Sequence, residues 1–143
     1  EMKEIGARID APFSQMRWAG GYDHNFVLDQ TPAEEEAKEL GLGEDAACPV
    51  DYKTLHKLAH VYAEKTGIHM HAYTTQPGVQ FYSGNHLDGV LAGKAGAAFA
   101  PRAGFTLEAQ VFPDAVHHAN FPQPLLRSGK KWQARTVFAF GLA

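Results

Sequence analysis

Cysteine is almost missing from this sequence, with Cys48 the one example among 143 residues. One thiol cannot close an internal disulfide and cannot by itself hold a structural zinc, so a stapled scaffold is excluded and a reducing, cytoplasmic setting is expected. Long apolar runs are missing too. The most apolar stretch, residues 89–101, is interrupted by Lys94 and three glycines, too short and too broken for a membrane span. Charge of one sign is equally scarce. Thirteen Lys and Arg face sixteen Asp and Glu, and no basic block exceeds Lys130-Lys131, which leaves no electrostatic footprint for a nucleic-acid duplex. No internal repeat is visible. Small neutral or polar ligands fit this balance better than nucleic acid or membrane.

What is present is the material of a packed, β-rich protein. The chain is 45 % hydrophobic and 20 % charged with a formal net charge of −3, a composition that buries a core, at the length of one ordinary domain. Residues 2–19 show no clear apolar period and read as irregular chain, closed by a turn at Gly20-Gly21. Between residues 55 and 75 the period is ambiguous until Ile68, Met70 and Ala72 alternate with His69, His71 and Tyr73. That alternation predicts a hairpin over 58–74, turning at Lys65-Thr66-Gly67. Further strands are predicted over 79–83, 105–112 and 135–140, bounded by clusters drawn from fourteen glycines and eight prolines. One helix stands out over 31–40, with Thr31 as N-cap, Pro32 in the first position, Glu34-Glu35-Glu36 in the first turn and Gly41 and Gly43 as stop. Only Ala33, Ala37 and Leu40 form its apolar side, so residues 31–55 read as a thinly buried surface excursion.

The strands supply the candidate chemistry. Phe105, Leu107, Ala109 and Val111 point one way, while Thr106, Glu108 and Gln110 point the other. Glu108 thus stands between hydrogen-bonding neighbours, a setting for an acid that stays ionised, although the alternation alone favours a solvated carboxylate on the outer face of a sheet. Gln80 and Tyr82 share one face of their strand, and amide and aromatic groups side by side suit a sugar's hydroxyls and C–H faces.

Eight histidines invite a metal hypothesis. His56 and His60 are spaced for a helix face, which the strand reading undoes. His60 falls opposite His71 if the hairpin closes on a plain four-residue loop, whereas a glycine bulge at Gly67 separates them. No H-E-x-x-H or cysteine-histidine pattern occurs, so no metal site is expected. His117-His118 beside Asp114 reads as loop chemistry. No nucleophile elbow surrounds Ser14, Ser83 or Ser128, no Lys-Ser/Thr pair follows Gly93 or Gly96, and Cys48 sits in an acidic loop that disfavours a thiolate.

Four segments read together resemble a known family, the aldose 1-epimerases or galactose mutarotases. They are Gly21-Tyr22-Asp23-His24-Asn25-Phe26, the run Tyr73-Thr74-Thr75-Gln76-Pro77-Gly78-Val79-Gln80-Phe81-Tyr82-Ser83-Gly84-Asn85, then Gly104-Phe105-Thr106-Leu107-Glu108 with Phe112-Pro113-Asp114-Ala115, and Leu125-Leu126-Arg127-Ser128-Gly129. The resemblance implies a mostly β fold, the antiparallel β-sandwich called the galactose mutarotase-like supersandwich, with this chain as its C-terminal portion and residues 31–55 as an insertion. It implies Glu108 as catalytic base, Asp23 and Gln80 as sugar-binding groups, a free aldose as partner, and no cofactor. The family's general-acid histidine and an arginine have no counterpart here and are expected upstream, so the chain alone is expected to be inactive. Two other readings are a non-catalytic sugar-binding module, which has no need of Glu108, and an epimerase of phosphorylated hexoses, for which Arg102, Arg127 and Lys130-Lys131 are too scattered.

Overall fold

In a computed structural model, residues 2–43 and 49–142 are described; Cys48 lies outside them, as does the side chain of Ala95. Two short helices, α1 (Ser14–Ala19) and α2 (Glu34–Glu39), accompany six strands: β1 (Asp23–Val27), β2 (His56–Ala63), β3 (Ile68–Thr74), β4 (Gly78–Tyr82), β5 (Thr106–Gln110) and β6 (Thr136–Leu142). The strands form two three-stranded sheets, ordered β1-β4-β5 and β2-β3-β6. This β-rich, two-sheet architecture agrees with the antiparallel β-sandwich class implied by the resemblance. No helix among the described residues is long and apolar enough to cross a membrane. Contacts divide the chain into two compact units, residues 1–26 with 80–108 and residues 27–79 with 109–143.

The hairpin is where the alternation placed it, extended at its start to His56. β2 and β3 pair antiparallel, with Ala63 opposite Ile68, so residues 64–67 form a plain four-residue loop, with Gly67 at φ +69°. Of the two closures open to the sequence the plain loop is the one formed, and a bulge lies at Leu58, since Lys57 faces Tyr73 and Ala59 faces Ala72. An extra residue there rephases the strand, so that Lys57 and His60 share one face of the sheet. β6 completes the sheet antiparallel to β3, placing Gly141 opposite His69, Ala139 opposite His71 and Val137 opposite Tyr73.

That same face carries the main core. Ala33, Ala37, Tyr52, Leu55 and Tyr73 form a buried cluster, with Leu42, Val50 and Val137 packed against it. Within the described part of 31–55, Ala33, Ala37, Tyr52 and Leu55 are core, while Leu40 faces solvent. The two alanines pack with the large side chains of Tyr52, Leu55 and Tyr73, so the helix is buried by its neighbours' bulk rather than by its own.

The start of α2 also differs from the expectation. Thr31 Oγ1 donates to Asp29 Oδ1 at 2.7 Å and Thr31 N–H donates to the same oxygen at 3.0 Å, while Pro32 bridges to His56. The hydroxyl is thus spent on a local turn, and Ala33 takes the N-cap position without a side-chain cap. Three consecutive acids in the first turn and Lys38 in the last suit the helix dipole instead. Residues 2–19, read as irregular, hold a 3-10 turn at Ile5–Arg8 and helix α1. α1 is six residues long and ends on Gly20 at φ +68°, a left-handed cap that glycine adopts without a Cβ penalty.

Candidate active site

The sheet β1-β4-β5 collects all three expected site residues. Asp23 opens β1, Gln80 stands mid-strand in β4, the central strand, and Glu108 stands mid-strand in β5. Gln80 Nε2 donates to Asp23 Oδ1 at 2.7 Å, so residues 57 positions apart in sequence are in direct contact. Glu108 is exposed and accepts a hydrogen bond from Thr106 Oγ1 at 2.8 Å, one of the two neighbours the alternation placed beside it.

Ring contacts show which face is which. Tyr22 and Phe81 lie 5.1 Å apart, and Phe81 meets Phe105 at 6.0 Å, which puts these three rings on one side. Strand alternation then turns Asp23, Gln80 and Glu108 to the opposite side. Tyr82 shares that parity. Its ring stacks on His86 at 6.2 Å, and its hydroxyl accepts the His86 N–H at 2.9 Å.

The polar bookkeeping of this face is incomplete in a way that suits a ligand. Gln80 spends its amide nitrogen on Asp23, while its carbonyl oxygen is buried with no hydrogen-bond partner among the described residues. Asn25 Nδ2 is in the same condition, and Asn25 lies two residues along β1 from Asp23, on the same face. Buried polar groups are ordinarily paired, and an unpaired acceptor and an unpaired donor on one face of a sheet match the hydroxyl of a polyol, which gives and takes a hydrogen bond. The sequence motif that holds Asn25 assigns it no role; the signal it carries is its i,i+2 spacing from Asp23.

A fastening outside the strands holds Asp23 in place. Tyr22 N–H donates to Ser83 Oγ at 3.0 Å, Ser83 Oγ donates to Asn85 Oδ1 at 2.6 Å, and Asn85 Nδ2 reaches the carbonyls of Ala19 and Tyr22. Gly21 makes the approach possible: a Cβ there would meet Asn85 Oδ1 at 2.3 Å, and its φ is +145°. Ser83 and Asn85 carry no visible task in the sequence, because the backbone groups they fasten lie more than 60 residues away.

Arg102 is equally committed. Its guanidinium donates to both Asp10 oxygens, at 2.7 and 3.4 Å, and to the Gly20 carbonyl at 3.0 Å. The guanidinium holds the Asp10 carboxyl below the usual carboxylate range. A cleft of about 270 Å³ is lined there by Ile9, Asp10, Met16, Arg17 and Arg102 among others, but with Asp10 on Arg102 it offers a phosphate little free charge. In the C-terminal loop, Asp114 holds His117 by a short hydrogen bond and lies 3.7 Å from His118, which is loop chemistry as expected.

The histidine expectation changes most. With a plain loop, His60 stands directly opposite His71, and His60, His69 and His71 each bring one ring nitrogen within 4.8 Å of the others. His71 is 7 % exposed. Burial holds its imidazole below the usual histidine range, His60 and His69 add to this, and Glu36 opposes it.

Comparison with known proteins identifies the relationship. The Aldose 1-epimerase family model matches residues 1–139. The chain is 41 % identical over 123 residues to galactose mutarotase of Homo sapiens and 38 % identical to that of Sus scrofa, each match covering 86 % of this chain and 30 % of the relative. It is 34 % identical over 122 residues to aldose 1-epimerase of Escherichia coli (strain K12), covering 84 % and 29 %. The chain thus spans under a third of the length of these curated relatives. With a family match along nearly all of its residues, the chain belongs to the aldose 1-epimerase family.

Proposed function

We propose that this chain carries the base and the sugar-binding groups of an enzyme interconverting the α and β anomers of free aldohexoses such as glucose and galactose. The observation that carries the reading is the Asp23–Gln80 contact at 2.7 Å with the Gln80 carbonyl oxygen left unpaired, on the face toward which Glu108 is turned. Asp23 and the Gln80 carbonyl accept from sugar hydroxyls, and Asn25 donates to one. Glu108 takes the proton of the C1 hydroxyl as the ring oxygen gains one. The bond between C1 and the ring oxygen breaks, and the open aldehyde rotates about C1–C2. The ring closes on the other carbonyl face with the proton movements reversed, so nothing is consumed. A glutamate carboxylate suits this task because it accepts the proton and returns it within one turnover. The proton for the ring oxygen falls, in the family pattern, to a histidine with no counterpart in these 143 residues.

The test is polarimetry of galactose and glucose mutarotation by the protein as encoded. Glu108→Gln should lower turnover by about 10² to 10⁴, the usual worth of a positioned proton-transfer group, while sugar binding survives. Gln80→Leu should act chiefly on KM. Unchanged turnover in Glu108→Gln removes it from the base role, and sugar binding without any acceleration by the unmodified protein favours the non-catalytic module.

A further inference from the structure

We propose that His60, His69 and His71 form a binding site for a divalent transition-metal ion of the zinc class, with Glu36 as the carboxylate that orients His71. Three imidazoles project from one face of the β2–β3 hairpin, each with a ring nitrogen within 4.8 Å of the other two. His60 and His71 are register partners whose rings stack at 4.0 Å, and His69 stands edge-on to His71 at 5.4 Å. A tetrahedral ion with metal–nitrogen bonds of about 2.0–2.1 Å needs its ligand atoms roughly 3.4 Å apart, a closure that side-chain rotation supplies.

The surroundings are built for these rings. His71 Nδ1 is buried with no hydrogen-bond partner among the described residues, and it lies 3.6 Å from Glu36 Oε1. A histidine turning one nitrogen to a carboxylate offers the other to a metal, and that carboxylate sets tautomer and ring orientation. We therefore assign Nε2 of His71 as the ligand atom. Gly141 faces His69 across β6, and a Cβ there would meet His69 Nε2 at 2.3 Å, so the imidazole occupies space that only glycine leaves open. Three imidazoles select zinc, copper or nickel over magnesium or calcium, and a three-nitrogen set leaves a fourth position for water or a small anion. The ion would cross-link β2 to β3 and, through Glu36, hold α2. The site uses none of Asp23, Gln80 or Glu108.

The experiment titrates the chelator-stripped protein as encoded with Zn²⁺ by calorimetry and with Co²⁺ by visible absorption. One equivalent should bind, with the spectrum of a nitrogen-ligated, four- or five-coordinate Co²⁺. His60→Gln and His69→Gln, at partly exposed positions, should each abolish that binding and the rise in melting temperature that Zn²⁺ brings, with circular dichroism unchanged. Glu36→Gln should weaken binding about 10- to 100-fold. The double variant His117→Gln, His118→Gln should bind as the unmodified protein does. Absence of a stoichiometric ion, or its retention in both His60→Gln and His69→Gln, overturns the proposal.

Discussion

Gln80 shows how much a single side chain can be read in advance. Its face and its kinship with polar neighbours followed from strand alternation, but its bond to Asp23, and the carbonyl oxygen this bond leaves without a partner, depend on β1 lying beside β4. Thr31 is the converse. Its sequence context is that of an N-cap, yet Asp29, two residues back, takes the hydroxyl, because short-range partners compete with helix ends for the same group. By charge alone Arg102 is a candidate phosphate ligand, and it is instead bound to Asp10, which nothing local reveals. That pair gives a pH prediction. The folded-state pKa of Asp10 is lowered, first by the hydrogen bond from Arg102 and then by its charge. Below the ordinary value of 3.8 the unfolded chain therefore binds the proton more readily. The pair's contribution is present above that pH and lost as pH falls through the folded value. Arg102→Met should return the Asp10 midpoint to the ordinary carboxylate range, as read by NMR titration of its side-chain carbonyl; an unmoved midpoint would remove Arg102 as the cause.

The β2–β3 hairpin is the most legible element, since period-two alternation over 68–73 survives inspection without any partner strand. Its bulge was not legible. The extra residue at Leu58 rephases β2 against β3 while the loop at 64–67 stays short, and Leu58 and Tyr73 are both buried. Acids first and glycine last mark helix α2 in the sequence, while the packing of Ala33 and Ala37 with Tyr52, Leu55 and Tyr73 does not show there, because small residues count for little in a hydrophobic tally and much in close packing. Tyr73 tests this core in two ways. Its ring meets Tyr52 edge-on at 5.2 Å, while its hydroxyl is buried without a partner among the described residues, and burial pushes its pKa above the usual tyrosine range. Tyr73→Phe removes only the unpaired oxygen and should leave stability equal or raised, within about 1 kcal/mol. Leu55→Ala, at a site with no exposure, should cost about 2–5 kcal/mol in chemical denaturation. A large loss in Tyr73→Phe would show that its hydroxyl is paired after all.

At the scale of the whole molecule, much apolar surface has no cover. Along β6, Phe138, Phe140 and Leu142 alternate with inward residues and are 47 %, 70 % and 76 % exposed. Trp18, Val90, Leu91 and Trp132 are likewise open. Exposed apolar patches of this kind promote association, so the 143-residue chain by itself should self-associate with concentration in sedimentation velocity. Phe140→Lys with Leu142→Lys should reduce this, and a monomer at every concentration would contradict it. Taken alone, the sequence determined the β-rich class, the hairpin, the exclusion of a helical membrane span, and the family, because these rest on periodicity, composition and short motifs that neighbouring residues carry between them. Only the tertiary structure decided that Asp23 touches Gln80, that Arg102 is neutralised by Asp10, and that three histidines share one face. Each of those facts joins residues through strand register and sheet order, and a shift of one residue at a bulge or loop reverses which side chains meet.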